Sequence, residues 1–359
     1  MIEMLVVRTL VVVVLLMTLV PLVLRHQGWW VRGLEFPAIQ ITGLTGAMII
    51  AYAVFYGWSG LWDKAALALL VLCVLLQMGR LLRFTPVFPR QIQTARQMRP
   101  KDQLSVVVAN VLTPNQQVHL LLDQIEECEP DLVLAVETDD WWQSELESLL
   151  PRYPHMVKYP LDNLYGMVLF SRLELQNSKL RFLVQEAVPS IHTDVILASG
   201  HRVALHCLHP APPSPSENPT SAERDGELLL VARTLDPQAC SVVAMGDFND
   251  VPWSPSMRLF QKLSGLLDPR VGRGMYNSFH AGIRLLRWPL DHVFCSRDFT
   301  LVSFSRLRHI GSDHFPIHVV LQHTPKAEKL HPEMIASAHE SAEAESKINK
   351  VHADKMALM

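Results

Sequence analysis

Two short segments concentrate side chains capable of acid, base and metal chemistry. Gly311-Ser312-Asp313-His314-Phe315-Pro316-Ile317 sets a carboxylate beside an imidazole just ahead of an apolar run, 317–321. Gly246-Asp247-Phe248-Asn249-Asp250 closes another such run, 242–245. Other polar residues also stand at the ends of apolar runs. Asn110 follows 106–109, Glu137 follows 132–136, His209 follows 203–208, and Asp291 opens 291–294. An apolar strand belongs in a core, so its polar terminus emerges at a rim. Carboxylate and amide oxygens gathered at one rim suit a hard divalent cation. A phosphoryl group needs charge stabilisation and an activated water. Metal-assisted phosphoester hydrolysis is the chemistry these residue types allow.

The elements that would position them alternate. Strands are expected at 104–109, 132–136, 167–170, 203–208, 241–245, 291–294 and 317–321. Val118, Leu121, Leu122 and Ile125 recur at helical spacing. After a Pro/Ser loop at 210–219, Thr220 and Glu223 have the spacing of a capping box. The helix it would start lines Leu228, Val231, Ala232 and Leu235 along one face. Short strands interspersed with helices predict a layered α/β sandwich. No internal repeat is visible. Residues 85–102, rich in Pro, Arg and Gln, read as a basic linker, with the folded domain at 103–325. Residues 326–359 read as a disordered or loosely helical tail.

The joint order Asn, Glu, His, GDFND, Asp, SDH resembles the endonuclease/exonuclease/phosphatase superfamily over roughly 104–322. That group includes pancreatic-type deoxyribonuclease, exonuclease III-type repair enzymes, neutral sphingomyelinases and inositol polyphosphate phosphatases. The resemblance implies a four-layer DNase I-like α/β sandwich with its site at the open edge of the sheets, and Mg²⁺ or Mn²⁺ as cofactor. It implies roles by position. Glu137 is similar to the principal metal ligand, Asn110 to the amide beside that metal, and Asp313 to a second metal carboxylate. Asp247 is similar to the residue that orients or deprotonates the attacking water, and Asn249 to the amide on the phosphoryl oxygen. His314 is similar to the imidazole facing the scissile phosphate, and Asp291 to the carboxylate that holds it. The remaining His/Tyr position falls to His209 or His206; His209, directly at the strand end, is the better placed. His192, His280 and His292 are expected to be structural.

Charge is divided along the chain. Residues 1–100 hold nine Lys/Arg against three Asp/Glu, whereas 101–325 hold 18 against 26. An acidic folded part argues against strong nonspecific binding to duplex nucleic acid. Five scattered cysteines with no CxxC pair exclude zinc-finger and thioredoxin frameworks and fit a reducing compartment.

Residues 1–84 read as a membrane anchor with about three transmembrane helices, roughly 5–24, 39–56 and 65–82. The first two have the length a bilayer needs, and the third is marginal. No small-residue cleavage site follows Leu24, so the first run reads as an uncleaved anchor. Trp29, Trp30, Trp58 and Trp62 suit headgroup regions. Arg25, Arg32, Arg80 and Arg83 fall on the domain side, and only Arg8 and Lys64 on the other. The positive-inside rule then gives a multi-pass protein of bacterial inner-membrane type with a cytoplasmic catalytic domain.

The expected substrate is a phosphate ester: a lipid head group, an inositol phosphate or nucleic acid. Arg270, Arg273, Arg284 and Arg287 flank a loop that would grip an anionic group or sit as ordinary surface charge. Tethering favours a lipid phosphoesterase, a DNA/RNA nuclease is the alternative, and a non-enzymatic membrane binding module is a second.

Overall fold

The computed structural model describes residues 2–24, 26–55, 60–215 and 217–357. Arg25, Tyr56 and Trp58 of the sequence reading lie outside them. The apolar runs form α1 (Ile2–Val23), the one-turn α2 (Trp29–Gly33), α3 (Ala38–Phe55) and α4 (Leu61–Leu81). Two stretches are long and apolar enough to cross a membrane, Leu5–Val23 and Leu61–Phe84; the apolar stretch Ala38–Val54 is shorter. The second and third runs thus exchange ranks relative to the sequence reading. The reason lies at Asp63. Its carboxylate accepts the Gly60 amide (3.2 Å) and the Tyr52 hydroxyl (2.6 Å), so a charged turn can open α4 before the apolar run begins. Val11, Val14, Tyr52, Ala66 and Leu70 pack α1, α3 and α4 together. Leu5, Ile50 and Leu75 point outward, each more than 60% exposed.

The remainder is a sandwich of two sheets. Its strands are β1 (Gln103–Asn110), β2 (Leu132–Val136), β3 (His155–Tyr159), β4 (Met167–Ser171), β5 (Leu175–Arg181), β6 (Ser190–Ile196), β7 (Arg202–Cys207), β8 (Ser241–Asp247), β9 (Asp291–Cys295), β10 (Phe299–Arg306) and β11 (Ile317–His323). One sheet runs β10-β11-β1-β2-β4-β3, the other β5-β6-β7-β8-β9. Val106, Val108, Leu134 and Leu169 of the first meet Val195, Leu205, Val243 and Met245 of the second in a common core. The alternate residues, Ala109, Val133, Ala135 and Phe170, face α5 (Val118–Cys128) and α6 (Asp140–Leu146). Val242, Ala244 and Phe294 face α7 (Ala222–Thr234) and α8 (Pro255–Ser264). The central strands are therefore apolar on both faces, which is why they read as continuous runs rather than alternations.

Local signals explain some helix ends and fail at one. α8 starts as its sequence dictates: the Ser254 hydroxyl accepts the Met257 amide at 3.0 Å and Pro255 takes the first helical position. The Thr220/Glu223 capping box does not form. Ser221 is the N-cap of α7, and its hydroxyl donates instead to Asp225 at 3.3 Å. The buried Asp225 carboxylate, paired with Arg224 at 3.0 Å, competes successfully for that hydroxyl.

Segments outside the sandwich are bound to it. Within the basic stretch, Ile92 is fully buried in the common core. The backbone there pairs with β10, Ala95 N donating to Leu301 O (2.8 Å) and Leu301 N to Gln93 O (2.9 Å). The tail forms α9 (Ala338–Ala357), which buries Ala344, Ile348 and Val351 against Leu229 and Leu230 of α7.

The helices of residues 1–84 dock on the sandwich as well. Ala38, Leu81 and Phe84 form one cluster with Val251, Trp253 and Leu290. The Trp253 indole donates to Glu35 O at 2.8 Å, and Trp29 N donates to Pro219 O at 3.0 Å. Val251 and Leu290 flank the end of β8 and the start of β9, so this docking falls at the rim where the polar strand ends emerge.

Candidate active site

Parallel pairs β1/β2 and β7/β8 point their C-terminal ends at this rim, and antiparallel β9 and β11 begin there. Each sheet thus delivers its polar termini to one place. Asn110, the last residue of β1, is the hub. Its amide nitrogen donates to Glu137 Oε1 at 2.7 Å and to Asp247 Oδ2 at 3.1 Å, while its oxygen accepts the Leu112 amide.

Glu137 lies one residue past β2 with φ +60°, a left-handed conformation that costs a non-glycine residue about 1–3 kcal/mol. Its carbonyl is held by the Thr113 hydroxyl at 2.8 Å. Glu137 Oε2 is buried and has no hydrogen-bond partner among the described residues. Burial pushes this carboxyl up to about 7 against the Asn110 hydrogen bond, with Asp247 and Asp313 pushing the same way.

Asp247 ends β8 and is fully buried. Its Oδ1 accepts the Asn249 amide at 2.9 Å, and Asn249 adopts φ +52°. The Asn249 side chain donates to Pro210 O at 3.1 Å. Gly246 makes this turn possible. It sits at φ +141°, and a Cβ there would collide with the Leu208 carbonyl. Asp291 is the register partner of Asp247 across β8 and β9, so the two carboxylates lie side by side.

His314 joins them. Its Nδ1 is 2.8 Å from Asp291 Oδ2 and its Nε2 is 3.5 Å from Asp247 Oδ2. Burial disfavours the imidazolium, but Asp291 and Asp247 outweigh it and push His314 up to about 10. Burial raises the Asp247 carboxyl, and the His314 charge opposes that rise. His209 Nε2 stands 4.0 Å from the same Asp247 oxygen, yet burial lowers His209 to about 4, so this contact is not an ion pair.

Donor atoms of Asp247, Asp291 and His314 all lie within 4.8 Å of one another. Asp313 makes no hydrogen bond to the network; its Oδ1 accepts the Ser312 hydroxyl at 3.4 Å. Its charge is nonetheless felt at Glu137 and at His314. His206 points elsewhere, its Nδ1 2.7 Å from Nδ1 of His192 across β6 and β7. His292 is buried between Asp250 O and the Arg270 guanidinium.

The four loop arginines divide. Arg270 is fully buried and paired with Asp268 at 2.8 Å, and Arg273 holds backbone carbonyls of Pro269 and Ile92. Arg284 is exposed, and Arg287 lies over the Phe315 ring at 4.9 Å.

Some neighbours carry no sequence signal of their own. The Ser278 hydroxyl accepts the amides of Leu290 and Asp291 and so fixes the start of β9. The Phe279 ring leans on His314 with centroids 4.9 Å apart. Tyr165 lies 5.6 Å from the His209 ring and donates to Glu217 at 2.6 Å.

Chemically, four carboxylates surround one imidazolium. Carboxylates grouped in this way favour a cation over an anionic phosphate. The partnerless Glu137 oxygen, with the Asp247 and Asp313 charges near it, suits a hard divalent ion.

Solved structures of the same fold include humanised TDP2 of D. rerio carrying 14 mutations, which is 16% identical, covers 62% of this chain and 99% of its own, and has a TM-score of 0.51. D. rerio TDP2 complexed with single-strand DNA product has the same identity and TM-score, covering 61% and 99%. An endonuclease/exonuclease/phosphatase from Beutenbergia cavernae is 17% identical, covers 62% and 72%, and has a TM-score of 0.50. Comparison with curated proteins gives no match. A family profile, however, matches residues 107–314, from inside β1 to His314 itself, and takes in every rim residue described above. The chain belongs to the Endonuclease/Exonuclease/phosphatase family.

Proposed function

We propose that this protein is a membrane-anchored, divalent-metal-dependent phosphoesterase that hydrolyses a phosphodiester or phosphomonoester with an activated water. The observation that carries this reading is the continuous polar chain Glu137–Asn110–Asp247–His314–Asp291, built from both sheets. Glu137 and Asp313 would hold Mg²⁺ or Mn²⁺, with Asn110 beside the ion and placing Glu137 through its amide nitrogen; when bound, the ion supplies Lewis-acid polarisation of the phosphoryl oxygen. Asp247, its Oδ1 fixed by the Asn249 amide, orients the attacking water and takes its proton. His209, kept neutral by burial, stands on the other side of that carboxylate. His314, held charged by Asp291, stabilises the negative charge that grows on the phosphoryl oxygens. The Asn249 amide, already oriented by Pro210 O, contacts one of those oxygens.

A lipid substrate is favoured by where the cleft lies. The helices of residues 1–84 dock at this rim, which would bring the cleft next to the bilayer surface. Nearby, the loop 281–287 exposes Ile283, Leu285 and Leu286 beside Arg284. α3, at 18 residues, reaches about 27 Å, close to a bilayer's hydrocarbon thickness. It would complete a three-span anchor with the catalytic domain in the cytoplasm. A nuclease is the second reading: one relative of this fold was solved with single-strand DNA product.

The test is hydrolysis of bis-p-nitrophenyl phosphate by the full-length protein with Mg²⁺, Mn²⁺ or EDTA. Activity should need the metal and fall by about 10²–10⁴-fold in Asp247→Ala. Equal rates for wild type and D247A would remove the enzyme reading. Steeply salt-dependent binding to oligonucleotides would favour the nuclease.

A further inference from the structure

α1 and α4 end side by side at the sandwich, and with α8 they leave a cavity of about 330 Å³. Pro21 and Leu22, in the last turn of α1, supply its apolar lining, and Trp253, Arg80, Arg258 and the Glu35-paired Arg32 line it as well, together with residues of α9. An adjoining cavity of about 60 Å³ shares Arg80, Trp253 and Arg258 and adds Arg83. The Arg80 guanidinium donates to Trp253 O at 3.1 Å and to Gln77 Oε1 at 3.5 Å, both neutral acceptors. The side chains of Arg83 and Arg258 have no hydrogen-bond or ion-pair partner among the described residues. Arg258 is close enough to repel both Arg80 and Arg83. The two carboxylates that line the cavity are already engaged, Glu340 with Lys262 at 2.6 Å and Glu343 with Lys347 at 3.4 Å. Three guanidinium groups therefore converge without an ion-pair partner in contact; the opposite charges that act on them, Glu35 and Asp250 on Arg80 and Asp268 on Arg83, lie beyond ion-pair distance. Crowded like charges in a half-buried site are costly unless an anion joins them.

We propose that this junction binds the phosphate of an anionic membrane lipid, with the acyl chains lying along the outer faces of α1 and α4. The inference rests on the membrane reading above. It concerns a second site, because no member of the Glu137-to-Asp291 network lines either cavity. A lipid suits the pocket better than free phosphate. The apolar wall is the end of a stretch long enough to cross a bilayer, and guanidinium groups offer planar, multidentate donors to phosphate oxygens. Trp253 is also the residue through which Arg80 and Glu35 O hold the sandwich to the anchor. A lipid bridging Arg80 and Arg258 would clamp that junction.

The test uses the full-length protein in neutral detergent, titrated separately with phosphatidylglycerol, phosphatidylcholine and inorganic phosphate while thermal unfolding is followed. Phosphatidylglycerol should raise Tm saturably, and phosphatidylcholine should not. Arg83→Gln and Arg258→Gln should each weaken half-saturation by about tenfold, the loss of one charge-assisted hydrogen bond. Arg308→Gln, whose side chain pairs with Glu127 elsewhere, should leave the response intact. An equal response to phosphatidylcholine, or undiminished responses in R83Q and R258Q, would overturn the site. Full stabilisation by inorganic phosphate alone would overturn the lipid assignment. Carbonate washing of native membranes tests the anchor separately: release of the protein would remove the membrane reading whatever the titrations give.

Discussion

The Gln40 side-chain amide donates to the Leu285 carbonyl at 2.7 Å, tying the first turn of α3 to a loop that leads straight back to the catalytic rim. At the other end of that loop, Ala281 N donates to Asp313 O at 2.6 Å. One short segment thus joins α3 to the Asp313-His314 pair. Leu285 is 81% exposed, and on the membrane reading proposed above it would insert among lipids. Leu285→Asp should therefore slow hydrolysis of a phospholipid presented in vesicles by about tenfold, since inserting one leucine is worth roughly 1.5–3 kcal/mol. Hydrolysis of bis-p-nitrophenyl phosphate in detergent should be unchanged. Equal losses on both substrates would point to a damaged site rather than lost membrane contact.

Asn110 holds two carboxylates at once, so its removal should act on metal binding before it acts on chemistry. In Asn110→Ala, Glu137 and Asp247 lose the amide that fixes both. Outer hydrogen bonds to metal ligands are typically worth 10–100-fold in affinity. The Mn²⁺ concentration for half-maximal activity should rise by about that factor, and calorimetric Mn²⁺ binding should weaken in parallel. Unchanged Mn²⁺ binding would detach Glu137 from the metal.

His314 owes its charge to Asp291 and Asp247 together. Asp291→Asn keeps the shape and removes the nearer carboxylate, 2.8 Å away. The imidazole then loses its main reason to stay protonated against burial. Activity should fall by about 10²-fold or more. The remaining activity should decline as pH rises, because the charged form that serves the reaction is lost at lower pH than in wild type. A pH profile that merely scales down would show that His314 acts without its charge.

How much of this was legible beforehand follows from where the physical signal sat. Strands buried on both faces, such as β2 and β8, announce themselves as apolar runs, and their polar ends mark the site. Edge strands do not. β5 exposes Gln176, Asn177, Ser178 and Lys179 and has almost no apolar content to read. Residues 86–100 look like a linker by composition, yet Ile92 alone inserts into the core and the backbone follows β10. The tail did carry a signal, since Ala344, Ile348 and Val351 recur at helical spacing, but it is sparse among charged residues. The strand-end position of His209 singled it out over His206, but the docking of residues 1–84 on Trp253 depends on contacts between distant segments. No local pattern encodes those.

Glu227 offers a test of the scaffold independent of any metal. It lies in α7 at 2% exposure, and its Oε1 has no hydrogen-bond partner among the described residues. Burial alone pushes it up to about 8, against roughly 4.3 in an unfolded chain. Between those values the unfolded state has released the proton while the native state keeps it. The native state then binds more protons, so stability falls as pH rises, by up to about 1.4 kcal/mol per unit. Below the unfolded value both states are protonated and the effect vanishes. Glu227→Gln, which stays neutral throughout, should match wild type near pH 4–5 and become progressively more stable toward about pH 8. Thermal unfolding of the two proteins across that range measures the gap directly. A gap that stays constant with pH would mean that Glu227 finds a counter-charge in the folded state, and that its surroundings on α7 are more polar than its burial implies.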